Sequence, residues 1–243
     1  MSQDFANAFP RKNFFIQMFT KDIGLEDCIL DLVDNSIDGL IRTRNIELAE
    51  ITNKIFAKGR RTSTSLKGMP IVRVDHSTEA VEISDNCGGI EYGYAKREAF
   101  NFGHGDDWQS GYLGVYGVGM KRALFKIGNK FEIESRTIQT GFFTSLIVSD
   151  WLREDSSPED WQIPLRPLAE AKSESTAGTV IKISDLHDEV QMRLGSGSID
   201  ASLFKSISRT YAFFIREYVR IYLNGNEVLP FRIPVSKPEH GNA

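Results

Sequence analysis

Between residues 25 and 40 the apolar positions Leu25, Ile29, Leu32, Val33, Ile37 and Leu40 recur at helical spacing. That periodicity predicts a strongly amphipathic helix with one buried face. The segment is expected to continue in broken form through residue 56, and residues 59–68 read as a surface loop. Before it, residues 13–19 carry enough Phe and Ile for a strand or a short extended arm, after an opening that is polar up to Pro10. Alternation at 71–74 and 80–83 predicts paired strands that end at Asp85 and the Gly88-Gly89 turn. Residues 91–114 are polar, contain glycine and show little periodicity, and their length makes them a candidate lid. A helix is expected from about Gly119, then strands at 130–136 and 141–148, an irregular surface excursion over 150–177, and a β-branched strand at 179–183. Leu203, Ile207, Tyr211, Phe214, Ile215 and Tyr218 predict one long helix over 199–218. Asn224-Gly225 between two apolar runs, 219–223 and 227–231, predicts a hairpin. No internal repeat is evident.

At 243 residues the chain has room for one large domain or two small ones. Its 41% hydrophobic and 26% charged content argues against disorder, collagen-like repeats and disulfide scaffolds. No apolar run approaches the roughly 18 residues of a membrane span, and the N-terminus has no signal-like apolar core. A soluble, untargeted, cytoplasmic protein is expected. Cys28 and Cys87 are far apart and lack metal-ligand spacing, so a structural zinc is not expected. The net charge of −4 exerts no overall pull on nucleic acid. Arg60, Arg61 and Lys67 beside a Ser/Thr-rich stretch read as a solvated loop rather than a basic binding face.

Three features change the picture. On the polar side of the first long helix Asp27, Asp31, Asn35 and Asp38 are three or four residues apart and share a face; taken alone, this is equally a solvated acidic face. Asp85-Asn86-Cys87-Gly88-Gly89 closes a strand with a carboxylate able to accept from an exocyclic amine, beside residues small enough for a flat ring to approach. Alone, an Asp before Gly-Gly is more often a turn. Gly114-Val115-Tyr116-Gly117-Val118-Gly119-Met120-Lys121 leads into an amphipathic stretch, so glycine-freed amides and a helix N-terminus would converge on an anion. No βαβ unit surrounds this run, which excludes a dinucleotide fold. The order decides: acidic-face helix with Asn, strand ending in Asp, lid, Gly-rich turn into a helix, then Gly178-Thr179 opening a strand.

In that order, over residues 24–186, the sequence resembles the superfamily of gyrase B, heat-shock chaperone, histidine kinase and MutL ATPases, the GHKL fold. Residues 30–38 are similar to its N-box. The glycine segment is most similar to the chaperone and MORC-type branches. The resemblance implies ATP and Mg2+ as ligands, with Asn35 binding the metal. Asp85 would accept from the adenine amine, assisted by Thr179 through ordered water. Gly89 belongs to the same adenine motif and Ile90 would line the purine pocket. Gly114 and Gly117 shape the phosphate loop, and the amides of Gly117, Val118, Gly119, Met120 and Lys121 would hold the β- and γ-phosphates. The Lys121 side chain would either neutralise phosphate or point to solvent. Asp38 and Arg42 would support the site from the next helical turn. Asp31 stands where many members carry the Glu that activates water, and is shorter by one methylene, so hydrolysis is expected to be slow in isolation or to need dimer closure. Cys87 replaces a frequent Gly and is expected to alter the turn in detail.

The resemblance implies an α+β two-layer sandwich, a mixed, mainly antiparallel sheet with helices on one face. Residues 1–190 would form the ATP-binding domain with its N-terminal arm, and residues 191–243 a helix and hairpin packed on it. The implied function is Mg2+-dependent ATP hydrolysis as a conformational switch, with residues 1–19 exchanged in a nucleotide-dependent homodimer serving a protein or DNA client. A nucleotide-sensing module with negligible hydrolysis is the alternative, supported by Asp31. A histidine kinase reading lacks a phosphoacceptor, since His76, His104, His187 and His240 all follow the N-box. In the family a second, downstream domain supplies a Lys or Arg that senses the γ-phosphate. Only some fifty residues follow Thr179's motif, so the sequence reads as a fragment.

Overall fold

The computed structural model describes residues 10–46, 68–103, 118–153 and 157–231, together with Asp4, Ala6 and Asp155. The expected N-terminal arm is helical instead: α1 spans Lys12–Thr20. A short Phe- and Ile-rich run does not distinguish strand from buried helix, and here packing decides. Lys12 and Ile16, one turn apart, are both buried. Phe15 meets Phe102 and Trp161 edge-on at 5.0 and 5.5 Å between ring centroids. The Lys12 ammonium donates to the Trp151 carbonyl at 2.7 Å and lies 4.0 Å from that ring's centre, so a lysine is accommodated inside by a cation–π contact.

Helix α2, Leu25–Arg44, carries Glu26 and Asp27 in its first turn and Arg42 and Arg44 in its last, matching the helix dipole at both ends. It buries Ile29, Leu32, Val33, Ile37 and Leu40, the residues that its periodicity selects. Asn45, left-handed at φ 49, stops it. The expected broken continuation lies mostly outside the described residues, as does most of the 59–68 loop.

Among the described residues eight strands form one sheet: β1 Ile71–His76, β2 Ala80–Asp85, β3 Gly128–Arg136, β4 Gly141–Ile147, β5 Arg166–Leu168, β6 Gly178–Leu186, β7 Arg220–Leu223 and β8 Asn226–Val228. Their order is β5-β4-β3-β6-β2-β1-β7-β8. Every pairing is antiparallel except β1 with β7. Register aligns the buried residues across strands. Ile83 faces Ile181, which faces Ile133; Val81 faces Ile183, which faces Phe131. The opposite face is polar, with Glu82, Lys182 and Glu132 in one row. Alternation along each strand therefore gives one buried face and one wet face.

The buried face is covered by α2 and by α4, Gly119–Ile127, with α5, Val148–Arg153, over β3 and β4. Residues 91–103 are not a bare lid: α3, Tyr92–Tyr94, is capped by the Glu91 side chain and runs into a π-helix at Ala95–Ala99. The rest of the proposed lid lies outside the described residues, apart from the bend that follows. The excursion over 150–177 is only partly irregular, since it holds most of α5, β5 and two 3-10 turns. Sequence periodicity also passes over α6, Asp188–Gly195, where Val190 and Leu194 are buried. The predicted 199–218 helix is two helices, α7 Ile199–Thr210 and α8 Ala212–Glu217, broken at Tyr211. The terminal hairpin joins the main sheet through β1. No helix of the described residues is long and apolar enough to cross a membrane.

Candidate active site

Asp85 ends β2 and Thr179 opens its antiparallel neighbour β6, so the two residues emerge at the same edge in mid-sheet. Gly178 makes this approach possible: a Cβ there would collide with the Asp85 carbonyl. Both carboxylate oxygens of Asp85 are fixed, Oδ2 by the Ser36 hydroxyl at 2.8 Å and Oδ1 by the Cys87 amide at 2.7 Å. Burial pushes its pKa up, while the Cys87 amide, Ser36, the Thr179 backbone and the Arg42 charge pull it back. Thr179, 7% exposed, shares a hydrogen bond of 2.8 Å with Ser135 on β3. The Ser135 hydroxyl also accepts from the Ile90 amide at 2.7 Å, which ties the loop after the glycines to the sheet.

The turn itself is made by Gly88 and Gly89, at φ +105 and +71, while Cys87 stays out of the positive-φ region. The expected disturbance from its Cβ therefore does not arise, and the thiol is buried, which raises its pKa. Arg42 donates to the Gly89 carbonyl.

Helix α2 carries the site away from this point. Asn35 donates Nδ2 to the Asp31 carbonyl at 2.7 Å, which leaves its Oδ1 as the atom for a cation. Asp38 is half-buried one turn further on. Asp31 lies against α4: a Cβ on Gly119 would sit 3.0 Å from the Asp31 carboxyl carbon. Gly119 thus allows the first turn of α4 to close on the acidic face of α2. From the Ser36 to Gly39 stretch back to Asp31 is about 12 Å at most at 1.5 Å per residue, enough to separate a base end from a phosphate end.

Val118 is the N-cap of α4 and supplies no side-chain cap, and the first amides of a helix point out of its N-terminal end. Met120 is buried beside them. Gly114 and Gly117 lie outside the described residues. The side chain of Lys121 is neither at solvent nor on the acidic face. It is 3% exposed and donates to the Ala99 carbonyl at 3.1 Å, and desolvation lowers its pKa to about 8.

Three participants escaped the sequence reading. Ser135 is a polar residue in the buried alternation Phe131, Ile133, Ser135, and that misfit was a legible signal. Arg122 pairs with Asp31 at 3.1 Å, and Tyr211 donates to Asp34 Oδ1 at 2.7 Å; both depend on which helices meet, which no local pattern reveals. Asp31 has a raised pKa because burial outweighs Arg122. Asp34 is lifted to about 6, again mainly by burial. A shallow cleft of about 540 Å³ along β4 and α5, lined by Lys130, Ser145, Asp150 and Gln162, shares no residue with this constellation.

Among known proteins, residues 23–179 match the family model described as histidine kinase-, DNA gyrase B-, and HSP90-like ATPase. No curated protein matches the chain.

Proposed function

We propose that this chain, which belongs to the histidine kinase-, DNA gyrase B- and HSP90-like ATPase family, binds ATP with Mg2+ along the polar face of α2 and hydrolyses it as a conformational switch. The observation that carries the reading is the arrangement along one helix. Ser36 orients Asp85 at one end, and Asp31 rests on Gly119 at the other.

Asp85 accepts from the adenine amine, with Thr179 beside it and Ile90 and Gly89 bordering the ring. The amides of Val118, Gly119, Met120 and Lys121 cradle the terminal phosphates, to which the dipole of α4 adds. Lys121 contributes through its backbone, because its ammonium is committed to Ala99. Asn35 Oδ1 fits a hard cation that takes most of its ligands from phosphate and water. Among the described residues no group of three or more His, Cys, Asp or Glu forms an alternative metal cage. Mg2+ held by Asn35 would supply neutralisation of phosphate charge. Arg42 ties the Gly89 turn to α2, and Asp38 supports the site from the next helical turn.

In the reaction a water oxygen bonds to the γ-phosphorus while its proton passes to the Asp31 carboxylate. The bond from phosphorus to the β,γ-bridging oxygen breaks, and its electron pair leaves on ADP. An aspartate already engaged by Arg122 is a poor base until released, which favours slow turnover and gives the sensing-only alternative its support. Asp31→Asn is expected to retain ATP affinity and to lose phosphate release. Unchanged release would reject Asp31 as the base, and release absent from the unaltered chain would favour the sensing module.

A further inference from the structure

Arg122 stands three residues after Gly119 in the first turn of α4, its amide donating to the Val118 carbonyl at 3.0 Å. Its Nη2 donates to Asp31 Oδ2 at 3.1 Å, with the two side chains 34% and 23% exposed. Its Nε is buried with no hydrogen-bond partner among the described residues, although a guanidinium has five donors to place. The other basic side chains of α4 are engaged elsewhere: Lys121 in the first turn with the Ala99 carbonyl, and Lys126 in the last turn with Glu189 at 2.6 Å. The acidic neighbours on α2 are Asp27 and Asp31.

We propose that Arg122 is this chain's own γ-phosphate responder: it exchanges its ion pair with Asp31 for the terminal phosphate of a bound nucleoside triphosphate, and so frees Asp31 for water. The inference rests on the nucleotide reading above and deepens it. A triphosphate at the start of α4 brings several negative charges beside Asp31. Like charges at that separation in a partly buried site repel strongly unless a cation lies between them. The phosphate offers three acceptor oxygens whose geometry matches the planar guanidinium fork, and it meets donors that Asp31 alone leaves unused. ADP lacks that group, so after hydrolysis the pair with Asp31 forms again. Recognition of the γ-phosphate would then lie within the domain itself, in the turn that also supplies the phosphate amides.

The test is calorimetric titration of the whole chain, with Mg2+ present, by ADP and by an ATP analogue with a non-hydrolysable β,γ bond. Arg122→Ala is expected to weaken the analogue about ten- to hundredfold, the loss of charge-assisted hydrogen bonds, while ADP changes less than about twofold. Retained ADP binding also shows that the variant is folded. Arg122→Lys keeps the charge without the fork; it is expected to fall between the two, and it serves where alanine does not fold. Equal loss for both nucleotides would assign Arg122 a merely structural role and overturn the proposal, as would undiminished affinity for the analogue. Failure of the unaltered chain to bind either nucleotide would instead defeat the parent reading and this one with it.

Discussion

Removing the Ser36 hydroxyl takes away a side-chain donor to Asp85 Oδ2, at 2.8 Å, at a point where burial already disfavours the carboxylate charge. A hydrogen bond to a buried charged group contributes about 1.5–3 kcal/mol. Ser36→Ala is therefore expected to lower the free energy of unfolding by that amount in urea titration, and to weaken adenine nucleotide binding in calorimetry. Lys121 makes a different prediction. Its pKa in the fold is about 8 against the usual 10.5, so the unfolded chain holds a proton that the folded chain releases. Stability from this group is lowest below pH 8 and rises as pH climbs from about 8 to 10.5, by about 3 kcal/mol in full. Cys28, Cys87 and Tyr211 have raised pKa values and pull the other way at high pH. The readout is therefore the difference between the unaltered chain and Lys121→Met, which should lose the rise while keeping the fall. At this scale Asp31 and Asn35 were legible as polar positions sharing one helix face, Asp85 as the carboxylate closing a strand before a glycine turn, and Thr179 as the residue opening a β-branched strand. The sequence misdirected the Lys121 side chain, because a helix-start lysine looks the same whether its ammonium meets phosphate, water or a carbonyl from a π turn.

Elements with strong periodicity were legible and those held by distant contacts were not. Helix α2 and the 224–225 hairpin follow from local spacing alone. Helix α1 does not: its identity depends on Phe102, Trp151 and Trp161, brought to it from the segments before and after α4. The break between α7 and α8 is also tertiary. The apolar repeat passes through Tyr211 without interruption, yet Tyr211 is fully buried and its hydroxyl donates to the Leu30 carbonyl at 3.0 Å and to Asp34 Oδ1 at 2.7 Å. That bond joins the C-terminal helices to the acidic helix, one residue from Asn35. Tyr211→Phe keeps the ring and removes the donor, leaving Asp34 half-buried without its hydroxyl partner. A loss of about 1–3 kcal/mol in stability is expected. Nucleotide affinity should fall only so far as α2 shifts. A variant as stable as the original would mean that water replaces the hydroxyl and that the joint is not structural.

Taken whole, the molecule draws the proposed ligand groups from separate layers: Asp31, Asn35 and Ser36 on a helix, Asp85 and Thr179 on the sheet, and Gly119 and Arg122 on a second helix. These groups come from a sheet and two helices, so a ligand spanning them should stabilise the native state against the unfolded one. At a hundred times its dissociation constant a nucleotide bound only to the native state adds about 2.7 kcal/mol. For a domain of this size that amounts to a rise of roughly 5–10 °C in the melting midpoint. ATP with Mg2+ is expected to give this rise, and chelation of the metal to remove most of it, while GTP, whose ring presents a carbonyl to Asp85 where adenine presents an amine, gives little. The assembly state should respond to the same ligand. Helix α1 exposes Phe14 and Met18, one turn apart, while its other side is anchored through Lys12 and Ile16. If two copies join in the triphosphate state, light scattering should show the mass doubling with the non-hydrolysable analogue and returning with ADP, and Phe14→Ser with Met18→Ser should block the doubling without lowering analogue affinity by more than the dimer contributes. A melting rise of equal size with GTP would show that Asp85 does not read the base, and a mass unchanged by any nucleotide would confine the switch to a single chain.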